Sequence, residues 1–482
     1  MRQLHSEALI RQLLYGLDYY KNVLGTESRI LWLPDTFGYT GALPQILKKS
    51  GVKYLVTQKI FWSYNDGERF PYHYFNWQGI DGTEVTAFLP TSYTYETDPK
   101  TLNDVWENRS QSRDLSAFLI PFGYGDGGGG PCRDHIEYLE REKNLEGMPK
   151  VREGDPREFF EKQEALGGPR NTYVGELYFD AHRGTYTSQA VIKKNNRKAE
   201  LMLHEMEFTG ALSMLRGHAY DQKASERLWK ELLLHQFHDI LPGSGIERIY
   251  KEADARVKAL IREAEELTDS YAENFLLKDP EMVSVLNSLS FERKVLVKLP
   301  ENFRFGAVND VGKEVPVEST LDGVFALLSL PPLGALTLSP VKTETSAGTD
   351  SSGSEGACTF KARAYRESDG FVMENDRLFV RVNETGEVIS LIRKDSNRDY
   401  ASGTMNRFCL YKDVPRTFDA WDIDSHYIDQ ELPGIRNAEV KILKAEGIDV
   451  SLLLTGEIGN SKITQEIYLC GESDRVEFRT TV

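Results

Sequence analysis

Three short stretches carry side chains that could do chemistry. Asp35 follows the apolar run Ile30 to Leu33, which has the length of a buried strand, and Pro34 stops that run one residue earlier. Asp126 sits in Phe122-Gly123-Tyr124-Gly125-Asp126-Gly127-Gly128-Gly129-Gly130-Pro131, after a second apolar run, Phe118 to Phe122. His235-Gln236-Phe237-His238-Asp239-Ile240-Leu241-Pro242-Gly243 sets a metal-ligating side chain beside an acid. Two acids just past strand ends lie where α/β folds bind ligands, because loops converge there while helices cover the sheet faces. Each residue also has a plainer reading. Asp35 could cap a helix over Leu43 to Lys49, Asp126 could be a turn residue among glycines, and His238 could cap or pack a helix end. His235, three residues before His238 and on nearly the same helix face, competes for a ligand role.

The surrounding pattern predicts how these residues are held. Up to about residue 168, helical periods (Ser6 to Tyr20, Leu43 to Ser50, Asp134 to Lys143) alternate with short apolar runs (Ile30 to Leu33, Tyr54 to Thr57, Val85 to Leu89, Phe118 to Phe122). Such alternation implies parallel strands with helical crossovers. Over 169–278 the pattern turns to long helices, Ala199 to Leu215, Ala224 to His235 and Ile246 to Leu276, as in a helix bundle. Leu241-Pro242-Gly243-Ser244-Gly245 breaks two of them and leaves His238 at a helix end. Residues 279–342 read as a small β domain, 343–357 as a polar linker, and 358–482 as the start of a β-sandwich.

Composition narrows the partners. The 482 residues suffice for several cores, and a net charge of −16 with no basic cluster excludes nucleic acid and anionic membrane surfaces as natural partners. Four scattered cysteines without C-x-x-C spacing argue against a zinc cluster or a disulfide framework and fit a reducing compartment, so cytoplasmic is the expected location. No apolar run has the length of a membrane span.

The Asp35, Asp126 and His238 stretches resemble glycoside hydrolase family 38, the α-mannosidases, and most closely the bacterial and cytosolic branch. Gly175-Glu176-Leu177-Tyr178, His182-Arg183-Gly184-Thr185-Tyr186-Thr187 and Asp419-Ala420-Trp421-Asp422 extend the resemblance along nearly the whole chain. It implies an α/β, then α, then β order: part of a seven-stranded β/α barrel (1–168), a helix bundle, a small β domain and an incomplete β-sandwich, with both chain ends cut.

The resemblance also implies a mechanism and roles. Retaining glycosidases flank the scissile bond with two carboxyl groups about 5 to 5.5 Å apart. By resemblance Asp35 is the nucleophile and a zinc ligand, Asp126 the acid/base, and His238 a second ligand; Asp239, Tyr93 and Arg183 contact substrate. The metal is expected to be Zn2+ or another divalent ion such as Co2+, the substrates mannose-containing oligosaccharides, and the assembly a homo-oligomer through the β domains, as in many relatives. The family takes two further ligands from a His-x-Asp motif on its first barrel strand, and no His-x-Asp precedes Asp35 in this sequence.

Two other classes compete. One is a carbohydrate-binding fragment without catalysis, lacking the N-terminal metal ligands. The other is metal-dependent deacetylation, which would use His235 and His238 with an acid and leave the Asp126 loop without a role. Trp62, Trp77 and Phe61 are either sugar platforms or core, and Arg183 pairs either with a site carboxylate or between domains.

Overall fold

The computed structural model describes residues 4–65, 67–277, 279–320, 323–342 and 361–482. The linker expected over 343–357 lies outside them. The described chain divides into two compact units. The first comprises Met1–Glu207, Tyr220–Thr268 and Pro415–Ile423, and the second Phe208–Ala219, Asp269–Val414 and Asp424–Val482.

The first unit holds a five-stranded sheet, six whole helices and most of two more among the described residues. The strands are β1 (Ile30–Trp32), β2 (Tyr54–Val56), β3 (Tyr74–Gln78), β4 (Glu84–Phe88) and β5 (Thr172–Val174). The helices are α1 (Ser6–Asn22), α2 (Leu43–Lys49), α3 (Pro99–Glu107), α4 (Arg133–Glu142), α5 (Pro156–Ala165), α6 (Ala190–Leu215), α7 (Gln222–His235) and α8 (Glu247–Ala272). Strand order is β1-β2-β4-β3-β5, with β1, β2 and β4 mutually parallel and β3 antiparallel to β4. The tight Gly79 to Thr83 turn explains this exception: Gly79 N–H donates to Thr83 O at 2.8 Å, closing a hairpin too short for a crossover helix.

Two expectations about strands fail. Phe118 to Phe122 forms no strand and contributes only an isolated bridge from Phe122 to Tyr95, since Pro121 has no N–H for a ladder. Conversely, β3 was not anticipated. Its Trp77 is fully buried, packs edge-on to Tyr39 and donates its indole N–H to Gly175 O at 2.7 Å, so it is core and no sugar platform. Phe61 is core as well, stacked on His73 with centroids 4.5 Å apart.

The sheet is apolar on both sides. One face joins Leu55, Trp77, Val85 and Ala87 to Leu43 and Leu47 of α2; the other joins Tyr54, Val56, Tyr74 and Phe88 to Phe159 and Phe160 of α5. Burial on both sides of a short strand explains why β2 reads as an unbroken apolar run.

In the second unit, strands Val283–Leu286, Arg293–Leu299, Gly323–Leu330 and Ala335–Pro340 belong to two small sheets around Phe303 and Leu338. Further on, a six-stranded and a four-stranded antiparallel sheet draw on one core that includes Met373, Val380, Val450, Leu452 and Ile467. The last strand, Glu477–Thr481, pairs with Ser461–Cys470.

Candidate active site

Asp35 is placed by the ends of two adjacent strands. Leu33 N–H donates to Val56 O at 2.9 Å, and the backbone N–H groups of Gln58 and Lys59 both donate to Pro34 O, at 3.1 and 3.2 Å. Buried Tyr39 ties the same ends together, its hydroxyl 2.6 Å from Leu33 O and 2.8 Å from Thr57 Oγ1; burial pushes its phenol above the ordinary range. The loops after β1 and β2 therefore run side by side, and Asp35 meets Lys59.

Lys59 Nζ lies 2.8 Å from Asp35 Oδ1. Lys59 is only 6% exposed, and its ammonium also sits over the Trp62 ring, 3.5 Å from the centroid. Asp35 Oδ1 is itself buried and has no well-aligned hydrogen bond, so the ammonium meets it as an ion contact. Lys59 is the residue that sequence reasoning missed. The signal was available: a charged side chain three positions past β2, at the same end of the sheet as Asp35.

Asp126 arrives on a tight turn. Gly128 N–H donates to Gly125 O at 2.8 Å, and the two central residues, Asp126 and Gly127, have φ of 52° and 77°, the mirror-image turn that aspartate and glycine tolerate. The turn is packed against the loop after β4, for a Cβ added at Gly125 would come 2.3 Å from Thr94 Cγ2. Next to it, Tyr93 Oη is 3.5 Å from Asp126 Oδ1, and the Asp35 carboxylate acts electrostatically on the same phenol. Burial first, then the two carboxylates, push the Tyr93 phenol above its ordinary range. One hydroxyl thus interacts with both acids.

His238 lies in the turn after α7, with Nε2 3.6 Å from Asp35 Oδ2 and 3.7 Å from Asp239 Oδ2. His235 instead places Nδ1 2.8 Å from its own helix carbonyl at Glu231. It is His238 that faces Asp35. Arg183 pairs with Asp180 and lies over the Tyr178 ring. The structure thus gathers Asp35, Asp126, Tyr93, His238 and Asp239, and engages Arg183 with Asp180.

A distant segment closes the surroundings. His182, at φ 55°, makes no side-chain cap to the short helix it precedes; its backbone N–H and its Nδ1 each lie 2.7 Å from Asp422 Oδ1. Its ring meets Phe37, Phe179, Phe418 and Trp421, and burial lowers its basicity against the pull of Asp422. Beside the site a cavity of about 750 Å³ opens, lined by Leu13, Leu31, Leu33, Phe37, Phe237 and His238 among others.

A gap of 3.6 Å between Asp35 and His238 is too long for a hydrogen bond. It suits two ligands of one ion, since bonds of about 2.1 Å at a tetrahedral angle set donors about 3.4 Å apart. Among the described residues, however, no group of three His, Cys, Asp or Glu side chains could hold a metal ion. Asp35 and His238 by themselves do not complete a metal centre.

Known proteins give this geometry a context. Residues 2–176 match the family model for the glycosyl hydrolases family 38 N-terminal domain, 180–275 that for the alpha mannosidase middle domain, and 373–482 that for the glycosyl hydrolases family 38 C-terminal domain. Alpha-mannosidase 2C1 of Homo sapiens is 32% identical over 489 residues, covering 99% of this chain and 44% of that protein. An alpha-mannosidase of Saccharomyces cerevisiae is 37% identical over 279 residues, covering 55% of this chain and 26% of its own length. The chain thus spans less than half the length of these relatives. A crystal structure of an alpha-mannosidase from Enterococcus faecalis V583 superposes with a TM-score of 0.75 at 15% identity, over 99% of this chain and 63% of the other, which establishes a shared fold. On these matches the chain belongs to glycosyl hydrolases family 38.

Proposed function

We propose that the site hydrolyses terminal α-mannosyl residues of oligosaccharides with retention, Asp35 acting as nucleophile and Asp126 as acid/base. The observation that carries this reading is the Tyr93 hydroxyl interacting with both carboxylates. Two acids within reach of one phenol oxygen can bracket an anomeric carbon, as a covalent glycosyl-enzyme route requires. Asp35 attacks the anomeric carbon while Asp126 gives its proton to the leaving oxygen; Asp126 then takes a proton from the water that releases the sugar. Lys59 holds Asp35 in place, its ammonium contacting Oδ1 and leaving Oδ2 toward His238. Asp239 and Tyr93 are assigned to sugar hydroxyls, and Arg183 to substrate through the loop it shares with Asp180.

A divalent ion, zinc or cobalt, belongs to the same proposal. Asp35 and His238 are the residues that would hold it, and when bound it would chelate vicinal sugar hydroxyls. The sheet β1 to β5 is read as part of a β/α barrel, the domain limits as those read from the sequence, and the β units as the route to homo-oligomers. No helix among the described residues is long and apolar enough to cross a membrane. Cys132, Cys409 and Cys470 are free thiols, which supports the cytoplasmic assignment.

The test is release of nitrophenol from an α-mannoside. Asp35→Ala is expected to abolish it, whereas Asp126→Ala keeps turnover on substrates with good leaving groups and is rescued by azide. Wild-type rates in Asp35→Ala would refute the assignment. Mannoside binding without turnover by the unaltered protein would favour a carbohydrate-binding role instead.

A further inference from the structure

Directly after the Gly-rich loop, Cys132 occupies the N-cap of α4, half-buried and free. Its Sγ is 3.0 Å from Nδ1 of His135, a side chain only 1% exposed. The backbone N–H of Cys132 donates to the same Nδ1 at 3.1 Å. A nitrogen that accepts an N–H carries no hydrogen of its own, so in the neutral ring the hydrogen sits on Nε2. That atom lies 3.0 Å from Glu96 Oε2. Thiol, imidazole and carboxylate are therefore neighbours, with Nδ1 beside the sulfur and Nε2 in distance contact with an acid though without an aligned hydrogen bond to it.

We propose that Cys132, His135 and Glu96 form a nucleophilic thiol site that takes low-molecular-weight disulfides and soft electrophiles at sulfur, and that its modification opens the Gly-rich loop. Neither consequence depends on mannoside turnover.

The surroundings favour the thiolate. Backbone N–H groups of His135 and Asp134 act on Sγ from the first turn of α4, and the thiol donates to Tyr124 Oη at 3.8 Å, a hydroxyl that can turn to donate once the thiolate forms. The His135 backbone N–H first, helped by Tyr124 and Asp134, holds the thiol below its ordinary range against desolvation, which opposes it. The groups that face the sulfur are His135, Tyr124 and the acid Asp134, with Glu96 behind the imidazole.

The exchange step balances without another redox partner. Cys132 passes its proton to His135 Nδ1, and the thiolate attacks one sulfur of a small disulfide, R–S–S–R. A Cys132–S–S–R bond forms, the original S–S bond breaks, and the departing thiolate takes the proton from His135 to leave as R–SH. Cys132 is oxidised and the small disulfide reduced.

The loop has no slack to absorb the adduct. A Cβ at Gly123 would meet Pro131 N at 2.7 Å, and Tyr124 N–H closes on Gly130 O at 3.4 Å. A group on Sγ displaces Tyr124 from the sulfur and separates the two arms of the loop that presents Asp126.

The experiment uses the full chain. Iodoacetamide labelling at pH 7, read by peptide mass spectrometry, is expected to be on the order of tenfold faster at Cys132 than at exposed Cys409 or at a free cysteine measured alongside, because the thiolate is the species that is alkylated. Glutathione disulfide should load Cys132 first and speed hydrogen exchange at the amides of 123–130. His135→Gln keeps the reciprocal cap that glutamine can make at this helix position but removes the base, and should bring the ratio to about one. Glu96→Gln, at a side chain 61% exposed and so safe for folding, should lower it several-fold. Equal labelling of Cys132 and Cys409 in the unaltered protein, or an undiminished rate in both variants, overturns the proposal; unchanged exchange in the adduct overturns its link to the loop.

Discussion

Lys59 holds its ammonium 2.8 Å from Asp35 Oδ1 while being almost fully buried. Two loops, one after each of two parallel strands, deliver one charge apiece to the same point. A buried cation left alone is costly, and so is a buried carboxylate, so each residue depends on the other.

Lys59→Met is accordingly expected to destabilise the fold by about 3 kcal/mol, because Asp35 is left without its counter-charge. Adding Asp35→Asn should restore more than half of that loss. Urea midpoints of the two single variants and the double variant measure the coupling, and strictly additive effects would contradict the pairing.

Tyr93→Phe removes the hydroxyl that interacts with both Asp35 and Asp126. Hydrogen bonds to charged groups contribute about 1.5 to 3 kcal/mol, so kcat/KM on a nitrophenyl mannoside should fall about 10- to 100-fold, with thermal stability nearly unchanged. A variant as active as the parent would place Tyr93 outside the reaction.

Gly125→Ala should act at a distance through Thr94. The new Cβ would stand 2.3 Å from Thr94 Cγ2, forcing the Asp126 turn away from Tyr93. Steady-state kinetics should show a lowered kcat, and Gly125→Ala combined with Thr94→Ala should recover much of it. Failure of the second change to help would argue that the turn has another way to relax.

His73 sets a pH dependence of stability. It is fully buried, its Nδ1 2.6 Å from Leu89 O, and burial lowers its pKa to about 4. The unfolded chain binds this proton below about 6.5 while the folded one does not until about 4, so stability present above 6.5 is lost as pH falls through that window. The difference corresponds to roughly 3 kcal/mol. Urea denaturation at pH 7 and pH 4 should show it, and His73→Gln should shrink the difference by that amount.

The match between pattern and structure varied with the kind of information each element carries. The breaks after β1 and α7 were readable because Pro34 and the Leu241 to Gly245 turn interrupt runs locally. Helices α6, α7 and α8 were readable for a similar reason, since a repeat over several turns outweighs single residues. Strand β3 was not, because aromatic Tyr-Phe-Asn-Trp fits a sugar platform as well as a strand, and only the pairing with β4 decides between them. Asp422 on His182 joins residues 240 positions apart, a proximity no local pattern encodes.

From the chain of residues alone came the acids at the loop positions, the helical middle, the β-rich remainder and the family resemblance, all of them properties of short segments or of motif identity. Tertiary structure decided that Lys59 neutralises Asp35, that one tyrosine spans both carboxylates, that His238 and not His235 faces the site, and that Arg183 is engaged by Asp180. The physical reason is that charge pairing and burial act through space at a few ångströms, and which side chains come that close is set by the packing of strands and loops distant in sequence.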